Sequence, residues 1–371
     1  MSKFLQLHLL TAYAPCNLNR DDLGRPKTAM FGNSQRLRVS SQSLKRVWRE
    51  AFKPTLDGEH GVRSKRAVIE YFYQPLLAAD VPEKDAFEWS KSLGPHFGKL
   101  KIEKEASAKD KEKSDAEKLK SRLKNLELET LVFLGNDELA ILSALVNTLA
   151  SEKRAPKLEE LRALRHKPKA ADIAMFGRML ADSPEFNVEA AVQVAHAITV
   201  HTVEVEDDYF TAVDDLNRAD ESGSSHIGES GFGAGLFYSY ICVDRDLLVE
   251  NLQGDVALAG KAIEGLLRAA CTVSPTGKQN SHASRARALY AQAELGDAQP
   301  RQLSFAFLKP LDGEHNVDLA ANAIKALEGS QERMDTVYGK SETRVDFNAV
   351  AGQGTLAELL SFATSNLAHK A

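Results

Sequence analysis

Cysteine is scarce here: Cys16, Cys242 and Cys271 are the only three in 371 residues. They are far apart and stand in no CxxC spacing, which argues against a disulfide framework or a zinc site, so they read as reduced and structural. Long apolar runs are also missing. No stretch approaches the roughly 18 consecutive apolar residues of a membrane helix, and the opening MSKFLQLHLLTAYAP is too short and alternating for a signal peptide. A cytoplasmic protein with no membrane partner is expected. No internal repeat is evident. The glycine-rich GFGAG at 231–235 lacks the GKS or GKT of a phosphate loop and runs into the strand-like LFYSYICV, so a bend at a hairpin base is a better account than a nucleotide site. Positive charge is in deficit too, with 47 Lys and Arg against 52 Asp and Glu.

What is present is a hydrophobic fraction of 43%, enough for a sizeable core in two lobes or in one domain with large insertions. The basic residues, moreover, are not spread evenly. Between Leu18 and Arg49 stand Arg20, Arg25, Lys27, Arg36, Arg38, Lys45, Arg46 and Arg49, opposed only by Asp21 and Asp22. Affinity for phosphate follows the local patch and not the total. Within this segment, RLRVSSQSLKR alternates charge with Ser and Gln, small donors that permit close approach of a sugar–phosphate backbone. A solvated surface is the plainer reading of any charge run.

Period-2 alternation over Lys3–Thr11 predicts a strand with Leu5, Leu7 and Leu9 on one face and Phe4, Gln6 and His8 on the other. A loop rich in Gly and Pro follows, then a short extended Arg36–Val39. Ser40 or Ser41 is a natural N-cap for a helix through SLKRVWREAF, whose Leu44, Val47 and Trp48 form the buried face while Lys45 and Arg49, four apart, share another. A serine-capped helix start with free N–H groups, followed by basic residues, is a seat for phosphate. From Gly61 to Ala171 the chain reads as a helical insertion. It includes a Lys/Glu-dense run over Lys99–Lys124, either solvated helix or linker, and a packed helix at LAILSALVNTLA. Ile173–Leu180 reads as a strand returning to the main sheet, Val188–Val200 as an amphipathic helix and Leu236–Val243 as a strand. A helix near Val256–Cys271, a strand at Leu303–Leu308 and a helix near Val317–Leu327 complete the pattern. This order fits an α+β sheet of the ferredoxin or RRM kind.

Asp21 and Asp22, or Asp207, Asp208, Asp214 and Asp215, offer carboxylates for a divalent metal, although paired acids in loops are usually solvated or salt-bridged. Tyr209 and Phe210 either wedge between bases from a hairpin tip or are buried in the protein's own core. His196 and His201 are read as packing or surface residues.

The stretch CNLNRDDLGRPKTAMFGNSQRLRVSSQSLKR, followed in order by AHAITVHTVEVEDDYFTAVDDL and SSHIGESGFGAGLFYSY, resembles the CasC family, the backbone subunit of the type I-E CRISPR surveillance complex, Cascade. The resemblance is close over the first fifty residues and over about Ile173–Val243, and loose elsewhere. It implies a modified RRM-like, ferredoxin-like palm (1–60, 172–200 and 236–371), a helical fingers insertion (61–171) and a long β-hairpin thumb (201–235). It also implies several copies stacked along one crRNA, gripping its backbone without regard to sequence, beside other Cascade subunits and a target DNA strand paired to the guide, with no cofactor and no catalytic site. By the same resemblance Arg20, Lys27, Ser40, Gln42, Lys45, Arg46, Arg49 and Arg178 are expected to face the crRNA backbone. Met179, Tyr209, Phe210 and Thr211 are expected near the kinked nucleotide. Base identity then goes unread, since the bases must stay free to pair, and the usual RRM aromatic signature is missing. The rival reading is a metal-dependent RNA endonuclease of the same superfamily using Asp21 or Asp22.

Overall fold

The computed structural model describes residues 3–101, 122–163, 167–180, 186–212, 226–311, 318–340 and 342–367. The centre of the Lys/Glu-dense run, Asp214, Asp215 and the remainder of 213–225 lie outside the described residues. The chain divides into one unit of residues 1–55, 192–248 and 259–371 and a second of 56–191 and 249–258. Its strands are β1 (Phe4–Cys16), β2 (Thr28–Phe31), β3 (Ser34–Val39), β4 (Val62–Ser64), β5 (Val132–Leu134), β6 (Val192–Val194), β7 (Ala197–Thr199), β8 (Glu206–Ala212), β9 (His226–Asp244), β10 (Ala288–Gly296) and β11 (Thr343–Asn348). Nine of them form the sheet of the first unit in the order β11-β10-β1-β9-β7-β3-β2, with β6 and β8 also paired to β9. The fold is α+β, as expected.

Four antiparallel neighbours make the centre of the sheet: β10, β1, β9 and β7. In chain order these are the fourth, first, third and second strands. A helix, Ser41–Phe52, follows the first and another, Val256–Thr272, follows the third, the βαββαβ arrangement of a ferredoxin-like sheet. Both faces are covered. On one, Leu44 and Trp48 of the Ser41–Phe52 helix and Ala270 of the Val256–Thr272 helix lie over Leu9 and Phe237, and each large side chain so buried contributes about 1.5–3 kcal/mol. On the other, Tyr238, Tyr240 and Tyr290 are buried under Leu303, Phe307, Ile324 and Leu327. Consequently β1 is not half-solvated as its alternation implies: Gln6 accepts from the Tyr240 hydroxyl at 2.8 Å and His8 Nδ1 meets the Tyr238 hydroxyl at 2.9 Å, both inside the core.

Three expected elements are overturned. Val188–Val200 is no helix: Val192–Val194 and Ala197–Thr199 are strands along β9, because β-branched residues take the conformation their sheet neighbour offers. Leu303–Leu308 is no strand but carries a 3₁₀ turn, Ser304–Phe307, laid over the sheet, a short apolar run that periodicity alone does not assign. The fourth central strand, β10, is ALYAQAELG: Leu289, Ala291, Ala293 and Leu295 alternate with Tyr290, Gln292 and Glu294, but its alanines and glutamate favour helix over strand and weaken that signal. Ile173–Leu180, in the second unit, begins as the helix Ala171–Phe176 and stops at Gly177, where φ is +80° and a glycine is favoured.

That second unit pairs β4 with β5 in a two-stranded ribbon and packs helices around Phe72, Leu76, Leu93 and Leu149. The apolar run expected to form a packed helix does so, as Asn136–Glu152. Among the described residues no helix is long and apolar enough to cross a membrane.

Candidate nucleic-acid interface

In the first unit, the loop after β1 is stapled at both ends. Asn17, fully buried, donates from Nδ2 to the carbonyls of Gly24 (3.0 Å) and Gly231 (2.9 Å). Asp21 Oδ1 accepts from the Leu23 and Arg25 amides at 3.0 and 2.9 Å, and Asn19 Oδ1 accepts from the Ser40 amide at 2.9 Å. Arg20 is thus presented outward from a fixed loop joined to the start of the Ser41–Phe52 helix. There Ser40 is the N-cap, as expected, its hydroxyl accepting from the Ser43 amide at 3.4 Å, a contact worth about 1 kcal/mol. The Ser41 amide donates to His196 Nδ1 at 3.0 Å. Two of the helix's first amides therefore already have partners, and the idea of a phosphate seated on a free helix start does not hold in that form. Burial first, then Arg38 and Lys27, hold the His196 imidazole below its ordinary pKa, which keeps Nδ1 available as acceptor.

Between loop and helix opens a cleft of about 780 Å³, lined by Arg20, Asp21, Asp22, Ser40, Gln42 and Arg46 among others, with Thr276 and Gly277 also on its wall. The structure thus gathers Arg20, Ser40, Gln42 and Arg46. Arg20, Gln42 and Arg46 are exposed, while Ser40 is buried and committed to its cap. Lys45 and Arg49 occupy the neighbouring helix face. Lys45 is half-buried, burial lowering its pKa, and Arg49, 14% exposed, donates to Glu50 at 3.0 Å. Lys27 is half-buried, its amide bonded to the Asn19 carbonyl at 2.8 Å. Arg36 leaves the basic surface altogether: fully buried, it donates to Ser34 Oγ and to the carbonyls of Thr199 and Phe307, each at 2.9 Å.

Beyond the four central strands, β8 pairs with the first half of β9 as an arm, Tyr209 opposite Glu229 and Phe210 opposite Gly228. Core burial is overturned as an account of these aromatics, since Tyr209 is 66% and Phe210 43% exposed; Thr211 is exposed beside them. Arg25 pairs with Asp207 at 2.9 Å, tying the loop to this arm. GFGAG is not a bend. Gly231, Gly233 and Gly235 lie within β9, where a Cβ would meet Pro26, Leu37 and Thr199 at 3.0, 2.9 and 2.6 Å, so the glycines serve close packing.

In the second unit Met179 is 82% exposed, but Arg178 is 5% exposed. Its guanidinium donates to the Glu138 carboxylate at 2.7 and 2.8 Å and to the carbonyls of Phe133 and Phe186. Arg178 is therefore an internal cation and not a surface one, because the turn after Gly177 bridges it to Val188 and aims it at the start of the Asn136–Glu152 helix. Among the described residues no cluster of three or more His, Cys, Asp or Glu is arranged to hold a metal ion.

The family described as CT1975-like protein matches residues 5–367. The chain belongs to that family. This CT1975-like chain is similar to a chain of a solved "CRISPR RNA-guided surveillance complex, pre-nicking", with 29% identity and a TM-score of 0.82 over 98% of this chain and 99% of that one. It is also similar to a chain of a "CRISPR RNA-guided surveillance complex" with 24% identity and a TM-score of 0.72 over the same shares, a likeness that carries the fold alone. No curated protein matches it.

Proposed function

We propose that the protein is a non-catalytic backbone subunit of a CRISPR surveillance complex of the type I-E Cascade kind. In this reading several copies line one crRNA in the cytoplasm, hold its sugar–phosphate chain independently of sequence, and present guide segments to a target DNA strand beside other Cascade subunits. The observation that carries the reading is the open cleft with Arg20, Gln42 and Arg46 exposed on it: charged and amide donors suit phosphate and sugar, and no aromatic side chain is among the described residues that line it. The central strands offer no alternative platform at Tyr238, Tyr240 and Tyr290, which are buried. The order of the central strands supports a modified ferredoxin-like palm, and the β8–β9 arm, with Tyr209, Phe210 and Thr211 outward, supports a thumb that acts near a kinked nucleotide. Met179 is assigned to the same role through its exposure. Arg178 is assigned to holding the second unit together, with no contact to RNA.

The endonuclease reading has less support, because Asp21 spends one carboxylate oxygen on its own loop. The test is to purify the protein with the other subunits of a Cascade complex and a crRNA, then add complementary RNA and magnesium. Co-elution with RNA of defined length and no cleavage is expected. Regularly spaced cuts abolished by Asp22→Ala, or elution as an RNA-free monomer, would overturn the reading.

A further inference from the structure

The cleft has a wall that lies far from the N-terminal basic segment in sequence. Thr276 and Gly277 line it, and they open the segment TGKQNSHASRAR, residues 276–287, in which Lys278, Arg285 and Arg287 stand with His282. From Ser274 to Ala293 no acidic residue occurs, so this is a second concentration of positive charge in a chain whose total is −5. Its composition repeats that of the first: cations interleaved with Thr, Ser, Asn and Gln. Thr276, Asn280, Ser281, Arg285 and Arg287 are exposed.

Its placement is built in. A Cβ at Gly277 would collide with the carbonyl of Leu18, so only glycine lets this backbone lie against that of the loop that presents Arg20. Ser274 Oγ accepts from the Ala286 amide at 2.7 Å and donates to the Ala286 carbonyl at 3.1 Å, which clamps the two ends of the segment together and leaves Arg285 and Arg287 flanking the clamp. Lys278 and Ala283 hold left-handed backbone, φ 43° and 48°, a costly conformation for residues with a side chain, bridged here by the Ala283 amide bonded to the Gln279 carbonyl at 2.8 Å.

We propose that residues 276–287 form a second phosphate-binding wall of the same cleft, with Lys278, Arg285 and Arg287 contacting the sugar–phosphate chain that Arg20 and Arg46 also hold. This rests on the RNA-binding reading above. Base identity is again unread, since the donors are charges and small hydroxyls.

The test is binding of single-stranded RNAs of two unrelated sequences to the full chain across a salt series. The combined variant Lys278→Ala, Arg285→Ala and Arg287→Ala is expected to keep its melting temperature and lose about tenfold or more in affinity for both RNAs. Its slope of log K against log salt should flatten by roughly 0.7 for each phosphate contact removed. Affinity and slope unchanged in this variant, while Arg20→Ala with Arg46→Ala weakens binding, would overturn the second wall alone; no change in either variant would overturn the RNA reading itself. Photocrosslinking of thiouridine-containing RNA to the unmutated chain decides the matter should the triple variant fail to fold. Adducts within 276–287 are expected, and adducts confined to 18–49 would contradict the proposal.

Discussion

At the cleft of the first unit Arg20 and Arg46 stand in solvent, whereas in the second unit Arg178 is buried with its guanidinium on Glu138. The side chain is the same and the physics opposite. A solvated guanidinium keeps its hydration, and its charge is available to whatever enters the cleft. A buried one has given up its hydration and depends on every bond around it, so it stabilises the structure only while those bonds last. Arg36 belongs with Arg178 in this respect, although it sits between the cleft residues in sequence.

The largest effect that sharpens the contrast is expected from Arg178→Ala. It strands the Glu138 carboxylate in the interior of the second unit and should cost about 3–5 kcal/mol in chemical denaturation. Arg178→Met combined with Glu138→Gln should recover most of that, because glutamine still accepts from the Gly135 amide that Glu138 holds at 2.9 Å. By the same comparison Arg46→Ala should alter stability by no more than about 0.5 kcal/mol. If Arg178→Ala weakened RNA binding without lowering stability, the division between the two sites would break.

Next in size is the arm. Tyr209→Ala removes an exposed ring and should leave unfolding in place, while nucleic-acid binding by the assembled complex weakens by ~1–3 kcal/mol for each base that stacks on it. A loss of stability with binding intact would return Tyr209 to a structural role.

How far the sequence foretold this contrast depends on the range of the interactions involved. Local signals were legible: β1 from alternation, a serine cap at Ser40 or Ser41 from its hydroxyl, the Ser41–Phe52 helix from Leu44 and Trp48, and the Leu236–Val243 part of β9 from its apolar run. The exposure of each arginine was not legible, because it is decided by distant chain. Arg36 bonds to carbonyls 163 and 271 positions away, and Arg178 to a glutamate 40 positions back. The helix assigned to Val188–Val200 failed for the same reason, since pairing with β9 overrode a spacing that resembled helical periodicity. Nothing local in the sequence places Thr276 and Gly277 on the same cleft as Arg20.

The smallest expected effect concerns pH. His196 is held below its ordinary pKa in the folded chain by burial, then by Arg38 and Lys27. As pH falls below about 6.5, the usual histidine value, the unfolded chain therefore takes up the proton first and stability declines. The decline is slight, because the ring is only partly withdrawn from water. It should be diminished in His196→Gln; an acid response identical in that variant would show that the titration of His196 contributes nothing to it.

The central claim is that the cleft holds ribose–phosphate and ignores bases. The most direct measurement is the salt dependence of binding for Arg20→Ala with Arg46→Ala, using two RNAs of unrelated sequence. The account predicts equal losses for both RNAs and a slope flattened by about 1.4, the value for two single-strand phosphate contacts, with a smaller change for Lys45→Ala with Arg49→Ala. A loss confined to one RNA, or an unchanged slope, would contradict it.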